Sequence, residues 1–261
     1  MSGQSPELRA ALEAAAEAAV IARSLYQRNL IVRLKEDKSP VTEADVRCEL
    51  AIRAVLEARF PDHGFYGEET GTRHADAEAL WLVDPIDGTK AFVREYPMFS
   101  TQIALQRGGE FVLGVSSAPV YGELAYAERG QGAWLGDARL AVSEIATLEE
   151  AALSAGNLRT LASGPQWASY GALVARVNRI RGYGDFLHYH LLAAGKIDIV
   201  IESDVNILDI AACVAIVTEA GGRFTDLSGA PVTRETTTVL ATNGRLHDPV
   251  LGALATGRAG V

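Results

Sequence analysis

Cysteines, aromatic residues and long apolar runs are all scarce in this sequence, and each shortage argues against a class of protein. The 261 residues include two cysteines and 7% aromatic residues, so a disulfide framework is excluded and we expect two reduced thiols in the core. No run of about 18 uncharged apolar residues occurs, so we expect no membrane span. The first residues lack the basic and apolar regions of a signal peptide, and the expected location is cytoplasmic.

Positive charge is scarce as well. Lys and Arg number 24 against 33 Asp and Glu, which gives a net charge of -9. Such a field repels nucleic acid, so we expect no DNA or RNA partner. An anionic substrate in a protein of this charge requires metal cations, a helix N-terminus or local basic groups. The hydrophobic content of 48% is ordinary for a globular protein and excludes wholesale disorder.

The hydrophobic pattern indicates an α/β protein. Ser5 is suited to cap a helix that runs to about Gln27, and the capping-box pattern of residues 42–45 opens a second helix. Residues 99–135 have the alternation and the Gly-rich turns of an antiparallel meander, and strands and helices alternate from residue 152 onwards. We therefore predict helices layered on sheet faces, in one domain over 1–261 with 1–145 and 146–261 as subdomains.

The segment 81–89, Trp-Leu-Val-Asp-Pro-Ile-Asp-Gly-Thr, is the most informative part of the sequence. An apolar strand leads directly into Asp84 and Asp87. Gly88 permits a tight turn, and the backbone N–H groups of Gly88 and Thr89 are suited to bind an anion. Carboxylates next to an anion site make electrostatic sense when divalent cations lie between them and a phosphate. The alternative is an ordinary Asp-Gly turn with a helix cap.

Three further acids follow short apolar runs elsewhere in the chain: Glu68, Glu69 and Asp209. Adjacent acids at a strand end are also typical of a solvated surface, and an acid before a small, apolar helix face is also typical of an N-cap. Together with the two acids of segment 81–89, Glu68 and Asp209 form a set of hard oxygen ligands that suits Mg²⁺. Two Mg²⁺ ions about 3.5–4 Å apart would clamp the attacking and leaving oxygens of an in-line phosphoryl displacement.

These residues resemble the motifs of the inositol monophosphatase family. The matching segments are Gly67-Glu68-Glu69, Asp84-Pro85-Ile86-Asp87-Gly88-Thr89, Leu208-Asp209-Ile210-Ala211-Ala212 and Glu219-Ala220-Gly221-Gly222. Lys35, Asp37 and Ser39 match the approach to the site in that family, and the similarity extends to about Leu227. One position departs from the pattern: Leu208 stands where the family usually has Trp, which implies a smaller pocket wall.

The resemblance implies a fold, a cofactor and a reaction. The fold is a layered α-β-α-β-α sandwich. The family's enzymes are Mg²⁺-dependent, Li⁺-sensitive phosphomonoesterases that act on small phosphorylated metabolites and are commonly homodimers. We therefore expect two or three Mg²⁺ ions per active site, in line with two-metal phosphatases in general.

The resemblance also implies the roles of individual residues. It implies five metal ligands: Glu68, Asp84, the carbonyl of Ile86, Asp87 and Asp209. The first three bind one Mg²⁺ ion, and the three aspartates bind the second. The backbone N–H groups of Gly88 and Thr89 bind phosphate. The Thr89 hydroxyl and Glu68 orient the attacking water, and Asp45 lies behind Thr89 as a hydrogen-bond acceptor.

Asp185 and Glu202 carry the expectation about the substrate. The run Arg181-Gly182-Tyr183-Gly184-Asp185-Phe186, with Lys90, is similar to the histidinol-phosphate phosphatase branch, and Glu202 matches the family's substrate-binding glutamate. L-histidinol carries an ammonium and an imidazole, whose donors two carboxylates can bind. The expected reaction is hydrolysis of L-histidinol phosphate. An inositol or other polyol phosphate is the alternative, and Asp185 is then a helix N-cap.

Other classes fit the sequence less well. Phosphatases with an aspartyl nucleophile need Asp-x-Asp, whereas two residues separate Asp84 from Asp87, and neither cysteine lies in the Cys-x5-Arg of cysteine phosphatases. A bisphosphorylated nucleotide or a sugar bisphosphate as substrate calls for a basic pocket, which the sequence does not indicate. A non-catalytic regulatory protein on the same fold is opposed by the intact set of acids. His188 and His190 point apart if they lie on a helix, so we expect surface or partner-contact histidines and not a metal site.

Overall fold

A computed structural model describes residues 4–28, 31–34 and 40–255, so Lys35, Asp37 and Ser39 lie outside the described residues. The described chain forms two compact units. Unit 1 takes its residues from Met1–Ala138 and Leu208–Ile216, and unit 2 takes its residues from Arg139–Ile207 and Val217–Val261. The expected subdomains 1–145 and 146–261 stay a prediction, because the units are defined by their internal contacts and not by independent folding.

Unit 1 combines helices with a large mixed sheet. Its helices are α1 (Pro6–Leu25), α2 (Glu43–Arg59) and α3 (Thr89–Val93). Its strands are β1 (Arg33–Leu34), β2 (Pro40–Val41), β3 (Gly64–Gly67), β4 (Gly71–Arg73), β5 (Ala79–Asp87), β6 (Ser100–Arg107), β7 (Glu110–Ala118), β8 (Glu123–Glu128), β9 (Gly132–Leu135) and β10 (Ala138–Arg139). The first two pair with each other, and the other eight form one sheet in the order β10-β9-β8-β7-β6-β5-β3-β4.

Local signals set the two long helices of unit 1. Ser5 caps α1, whose alanine-rich face is buried, and the helix ends at Leu25, close to the expected Gln27. The predicted capping box opens α2: the Thr42 N–H donates to Asp45 Oδ2 over 2.7 Å, and the Thr42 side chain caps the helix in return. These helix starts follow from short-range chemistry alone, which explains why the sequence predicts them.

The predicted antiparallel meander is confirmed in the pairs β6–β7, β7–β8 and β8–β9. β3 and β5 run parallel instead, with Gly67 opposite Val83, so their carboxyl ends lie side by side. Trp81 of β5 belongs to the same apolar core as Ile52 and Leu56 of α2. Burial of this face fixes the sheet and leaves the polar strand ends to form a site.

Unit 2 alternates strands and helices, as the sequence predicts. Its strands β11 (Ala152–Ala155), β12 (Arg179–Arg181), β13 (Ile199–Ser203), β14 (Arg223–Thr225) and β15 (Thr238–Thr242) form a sheet in the order β12-β11-β13-β15-β14. The helices in this half of the chain are α4 (Arg159–Ala162), α5 (Trp167–Val174), α6 (Asp185–Ala193), α7 (Ile207–Glu219) and α8 (His247–Ala255), with a 3-10 turn at Leu148–Glu150. The middle of α7, Leu208–Ile216, groups with unit 1.

Helices and mixed sheets in both units confirm the predicted α/β fold class. None of the helices within the described ranges combines the length and the apolarity needed to cross a bilayer. Cys48 and Cys213 are buried and form no disulfide, as expected. Burial raises the pKa of the Cys48 thiol to about 12, so this thiol is unreactive at neutral pH.

Candidate active site

The two loops that carry the first acids begin at the carboxyl ends of the parallel strands β3 and β5. β3 ends at Gly67, and the Glu68 N–H donates to the carbonyl of Val83 on β5 over 3.2 Å. Glu68 therefore leaves the sheet next to Asp84, and its charge is one cause of the raised pKa of Asp84. Parallel pairing of two short apolar strands is thus what brings these acids together.

An irregularity in β5 places Asp84 and Asp87 on one side of the strand. Side chains three positions apart in a regular strand point to opposite faces of the sheet. The register to β6 shifts between these two residues, so that a step of three residues on β5 spans a step of two on β6. This bulge returns both carboxylates to the same side, where the Ser100 hydroxyl donates to Asp87 over 3.2 Å.

Asp209 reaches this group from α7. It is the third residue of that helix and not the N-cap that the sequence left as an alternative. The helix packs closely on β7, because a Cβ at Gly114 would overlap the backbone of Ala212. Carboxylate oxygens of Asp84, Asp87 and Asp209 all lie within 4.8 Å of one another. These three aspartates and Glu68 are called the acid cluster below.

Burial and mutual repulsion dominate the electrostatics of the acid cluster. Asp84 is 3% exposed and Asp87 is 8% exposed. Burial, followed by the negative charges of the other three acids, raises the pKa of Asp84 well above its usual range. A bound divalent cation offsets both effects, and carboxylate oxygens are the donors that Mg²⁺ and Ca²⁺ prefer. The residues present therefore fit a hard metal ion.

Thr89 lies between the acid cluster and α2. Its hydroxyl lies 3.0 Å from Asp45 Oδ1 and 3.1 Å from the Ile86 carbonyl oxygen, which are two acceptors for one proton. Gly88 before it takes φ 90°, a left-handed conformation that glycine adopts without strain. A Cβ at Gly88 would also lie 2.6 Å from the Met98 carbonyl oxygen. The expected contact between Asp45 and Thr89 is present.

Asp45 supports two elements with one carboxylate. It is fully buried, and its Oδ2 accepts hydrogen bonds from the Thr42 N–H over 2.7 Å and from the Thr42 hydroxyl over 2.6 Å. Burial raises the pKa of Asp45, and the hydrogen bonds from Thr42 and Thr89 oppose that rise. The residue that caps α2 is therefore also the residue that receives the Thr89 hydroxyl.

Glu49, one turn after Asp45 on α2, is a residue that sequence reasoning misses. Its side chain is fully buried, and its two oxygens accept the N–H groups of Glu69 over 2.7 Å and Thr70 over 2.6 Å. The available signal is the spacing from Asp45, since residues four apart share one face of a helix. The contact itself joins residues 20 positions apart, which no local pattern indicates.

A second group of acids lies within unit 2 and corrects the expectation for the histidines. His188 and His190 are 0% and 2% exposed, because α6 is buried around most of its circumference, and they are not surface residues. His188 Nε2 lies 3.2 Å from Glu202 Oε2, and the Tyr189 hydroxyl donates to the same oxygen over 2.7 Å. The Asn157 N–H donates to Glu202 Oε1 over 3.2 Å.

The pKa values of Asp185 and Glu202 shift in opposite directions. Burial by itself raises the pKa of Glu202, but the neighbouring His188 and the hydrogen bonds from Tyr189 and Asn157 outweigh it, so the pKa is lowered. Burial and then the charge of Glu202 raise the pKa of Asp185 to about 6. Gly184 and not Asp185 is the N-cap of α6. Asp185 takes φ 45°, which is uncommon for a residue with a side chain.

The chain is similar to known proteins over most of its length. The solved structure of the extragenic suppressor protein suhB from Bartonella henselae has a TM-score of 0.89 and 32% identity, over 98% of this chain and 100% of that one. A histidinol-phosphatase of Mycobacterium tuberculosis is 41% identical over 88% of this chain and 90% of the relative. A fructose-1,6-bisphosphatase/inositol-1-monophosphatase of Thermotoga maritima is 37% identical over 82% of each. Fold and site together define a phosphoric monoester hydrolase.

The particular family follows from a match along nearly the whole sequence. The model of the inositol monophosphatase family matches residues 4–257, and the chain belongs to this family. The family is metal-dependent, which agrees with the group of three aspartates among the described residues. The predicted family, fold and enzyme class are thus confirmed. The roles of the individual site residues stay predictions.

Proposed function

We propose that this enzyme is a Mg²⁺-dependent phosphomonoesterase that hydrolyses L-histidinol phosphate to L-histidinol and phosphate. The observation that carries the proposal is the convergence of Asp84, Asp87 and Asp209, whose carboxylate oxygens lie within 4.8 Å of one another. The similarity to a histidinol-phosphatase at 41% identity supports the choice of substrate. The acid cluster supports the choice of a hard, oxygen-binding cation over a softer metal.

Five oxygen donors would hold the metal ions: Glu68, Asp84, the carbonyl of Ile86, Asp87 and Asp209. Bound Mg²⁺ supplies charge neutralisation for the phosphate, a lower pKa for water and stabilisation of the leaving oxygen. The Ile86 carbonyl retains a lone pair for this role, because a carbonyl oxygen has two and the Thr89 hydroxyl engages one at most.

Thr89 and Asp45 prepare the attacking water in this proposal. An ionised carboxylate only accepts hydrogen bonds, so the Thr89 hydroxyl donates a hydrogen bond to Asp45 Oδ1 over 3.0 Å. A lone pair of Thr89 Oγ1 is then available to accept a hydrogen bond from the water. The Glu68 carboxylate takes a proton as the water oxygen bonds to phosphorus and the ester P–O bond breaks, the leaving alkoxide takes a proton from solvent, and no residue of the chain becomes phosphorylated.

The backbone N–H groups of Gly88 and Thr89 bind the phosphate oxygens. Because Gly88 has no side chain, a phosphate can approach the backbone closely at this turn. Backbone donors of this kind hold the phosphate without adding a mobile side chain next to the acid cluster. Gly88 directly follows Asp87 in the sequence, so the turn is joined to the strand that carries the acids.

Recognition of the alcohol part rests on Asp185 and Glu202. Ammonium and imidazolium donors form strong hydrogen bonds to carboxylates, whereas a neutral polyol offers no charge of this kind. With its pKa at about 6, Asp185 is mostly ionised at neutral pH and is suited to bind a cation. The left-handed backbone of Asp185 is the sort of strain that folded proteins retain at functional positions.

An inositol or other polyol phosphate is the second candidate substrate, and one observation favours it. Glu202 accepts hydrogen bonds from Tyr189 and Asn157 and lies 3.2 Å from His188 Nε2, so its charge is offset within unit 2. A cationic substrate then finds one open carboxylate, Asp185, in place of two. The choice between the two substrates therefore depends on how strongly Asp185 alone discriminates between a cationic and a neutral alcohol.

Three finer properties belong to the proposal: a cytoplasmic location, assembly as a homodimer and inhibition by Li⁺. The resemblance to the family supports the last two. Two buried cysteines that form no disulfide agree with a reducing compartment.

Phosphate release tests the proposal directly. The assay compares L-histidinol phosphate, myo-inositol 1-phosphate and 3′,5′-bisphosphorylated adenosine at matched concentrations, with Mg²⁺ and with EDTA. We expect EDTA to abolish activity and kcat/KM to favour histidinol phosphate about 100-fold, or about 2.7 kcal/mol. A higher kcat/KM for myo-inositol 1-phosphate supports the second candidate substrate instead. Absence of phosphate release from all three esters with Mg²⁺ contradicts the proposed function.

A further inference from the structure

In the turn that carries Glu68, the backbone N–H of each of the three residues donates a hydrogen bond. Gly67 of β3 pairs with Gly71 of β4, so residues 68–70 form the tight connection between these strands. The Glu68 N–H donates to the Val83 carbonyl over 3.2 Å. The next two N–H groups, of Glu69 and Thr70, both donate to the carboxylate of Glu49.

Glu49 is a buried residue, and its contact with the turn is not a surface contact. Its side chain is fully buried on α2, and each of its two oxygens accepts one N–H, over 2.7 Å and 2.6 Å. A Cβ at Gly67 would lie 2.5 Å from both Cδ and Oε1 of Glu49, so the strand lacks a side chain where the carboxylate lies. Desolvating a charge to this extent is tolerated when such hydrogen bonds compensate it.

α2 therefore contacts both loops of the candidate active site from one face. Asp45 receives the Thr89 hydroxyl over 3.0 Å, and Glu49, one turn later, receives the turn that begins with Glu68. The geometry points to Glu49 as a positioning residue: it fixes the backbone of the Glu68 turn so that the Glu68 carboxylate is held ready to bind metal next to Asp84. This inference rests on the proposed role of Glu68 as a metal ligand.

A carboxylate is required at this position because two N–H groups must be accepted at once. In Glu49→Gln, the amide has one acceptor oxygen, and its NH₂ group meets the second N–H donor. One of the two backbone donors then loses its partner while the shape of the side chain is preserved. The turn is expected to loosen, and Glu68 is expected to bind metal less well.

The test measures Mg²⁺ binding by calorimetry, without substrate, together with amide hydrogen exchange at Glu69 and Thr70 in EDTA. For Glu49→Gln we expect at least about tenfold faster exchange at one of these amides and about tenfold weaker Mg²⁺ binding. Glu43→Gln is the matched control on the same helix, since Glu43 is exposed and pairs with Arg47 and not with the Glu68 turn. It is expected to change Mg²⁺ affinity less than about twofold.

Gly67→Ala provides a second variant if Glu49→Gln does not fold. The added methyl group would lie 2.5 Å from the Glu49 carboxylate and 2.6 Å from the Phe65 ring, so we expect at least the same loss of Mg²⁺ affinity, and no further loss when Glu49→Gln is added. Unchanged Mg²⁺ affinity in both variants, with only a lower unfolding temperature, overturns the inference and makes Glu49 a structural residue. If the wild type itself binds no Mg²⁺, the metal site of the proposed function fails, and Glu49 loses the role with it.

Discussion

Units 1 and 2 each bury a group of carboxylates, but the negative charges of the two groups have different surroundings. In unit 1, burial and three neighbouring acids raise the pKa of Asp84 well above its usual range. In unit 2, Glu202 is similarly buried at 5% exposed, yet its pKa is lowered, because His188 and Tyr189 lie against it. Similar burial thus gives opposite pKa shifts, and the chemistry of the neighbours decides the direction.

The comparison shows two ways in which buried carboxylates are compensated in this chain. Glu202 receives its compensating partners from the same unit, so folding alone stabilises its charge. The acid cluster repels itself, and its negative charge is best stabilised by a cation that binds from outside the chain. Burial by itself does not separate the two cases, whereas the sign of the pKa shift does.

Asp84→Asn breaks the unit 1 group and has the largest expected effect. Asn keeps an oxygen that can accept the Ile86 N–H, a bond of 2.9 Å in the wild type, but it loses the charge expected to contact both Mg²⁺ ions. We expect Mg²⁺-dependent phosphate release to fall at least about 1,000-fold, or about 4 kcal/mol in the transition state. Asp76→Asn, at an exposed position, is the control. Equal rates for Asp84→Asn and the wild type would show that the acid cluster is not the active site.

His188→Leu breaks the unit 2 group and has the next largest effect, on stability. His188 Nε2 lies 3.2 Å from Glu202 Oε2, and leaving a buried charged group without a partner typically costs about 1–3 kcal/mol or more. Tyr189 and Asn157 still donate to Glu202, so we expect the free energy of unfolding to fall by about 3 kcal/mol in urea denaturation. The double variant His188→Leu/Glu202→Gln should recover more than half of that loss. A double variant that is no more stable than the single one rules out neutralisation of Glu202 by His188.

Asp185 tests the pKa shifts in unit 2 directly, because its raised pKa makes substrate recognition depend on pH. With a pKa at about 6, the carboxylate is ionised above that pH and neutral below it. We expect the KM for L-histidinol phosphate to rise about tenfold between about pH 7 and pH 5 in the wild type. In Asp185→Asn the KM should be high and nearly constant over this range. Initial rates with inositol phosphate are the reference, and an equal response of both substrates contradicts the role of Asp185.

His247 gives the smallest expected effect and extends the comparison to a neutral buried group. Its Nε2 lies 2.9 Å from the Thr225 hydroxyl and its Nδ1 lies 3.1 Å from the Thr242 hydroxyl. Burial, and then the charge of Arg223, lowers the pKa of His247 to about 4. Because this pKa is lower in the folded state, the stability it contributes is complete above about pH 6.5 and is lost as the pH falls through about 4.

Urea denaturation at about pH 7 and pH 4.5 checks this prediction. The wild type should lose at least about 1 kcal/mol more stability than His247→Gln between these two pH values. His74→Gln, at an exposed position, should follow the wild type. A loss of the same size in His247→Gln would show that His247 does not titrate with unfolding.

Short-range patterns account for most of what the sequence predicts correctly. The capping box of 42–45, the strand that leads into Asp84, and the alternation of unit 2 each depend on residues within a few positions of one another. The same holds for the family motif around Asp84, whose acids, proline and glycine lie on one strand end and one turn. Chemistry encoded over such short distances can be read without a structure.

Long-range contacts account for what the sequence does not predict. The partnership of His188 with Glu202 joins two elements, so the sequence indicates surface histidines where the structure has buried ones. Glu49 is similar, because its N–H donors follow 20 and 21 residues later. The bulge that turns Asp84 and Asp87 to one side depends on pairing with β6, which a single strand does not specify.

A Mg²⁺ titration of the wild type and Asp84→Asn, combined with thermal unfolding of both in EDTA, tests the central claim most directly. The claim is that the acid cluster is a metal site whose carboxylates repel one another until the metal binds. It predicts saturable Mg²⁺ binding in the wild type and at least about tenfold weaker binding in Asp84→Asn. It also predicts an equal or higher unfolding temperature for metal-free Asp84→Asn, because a destabilising buried charge is removed. Equal Mg²⁺ affinity, or a lower unfolding temperature in EDTA, would contradict the claim and make Asp84 a structural residue.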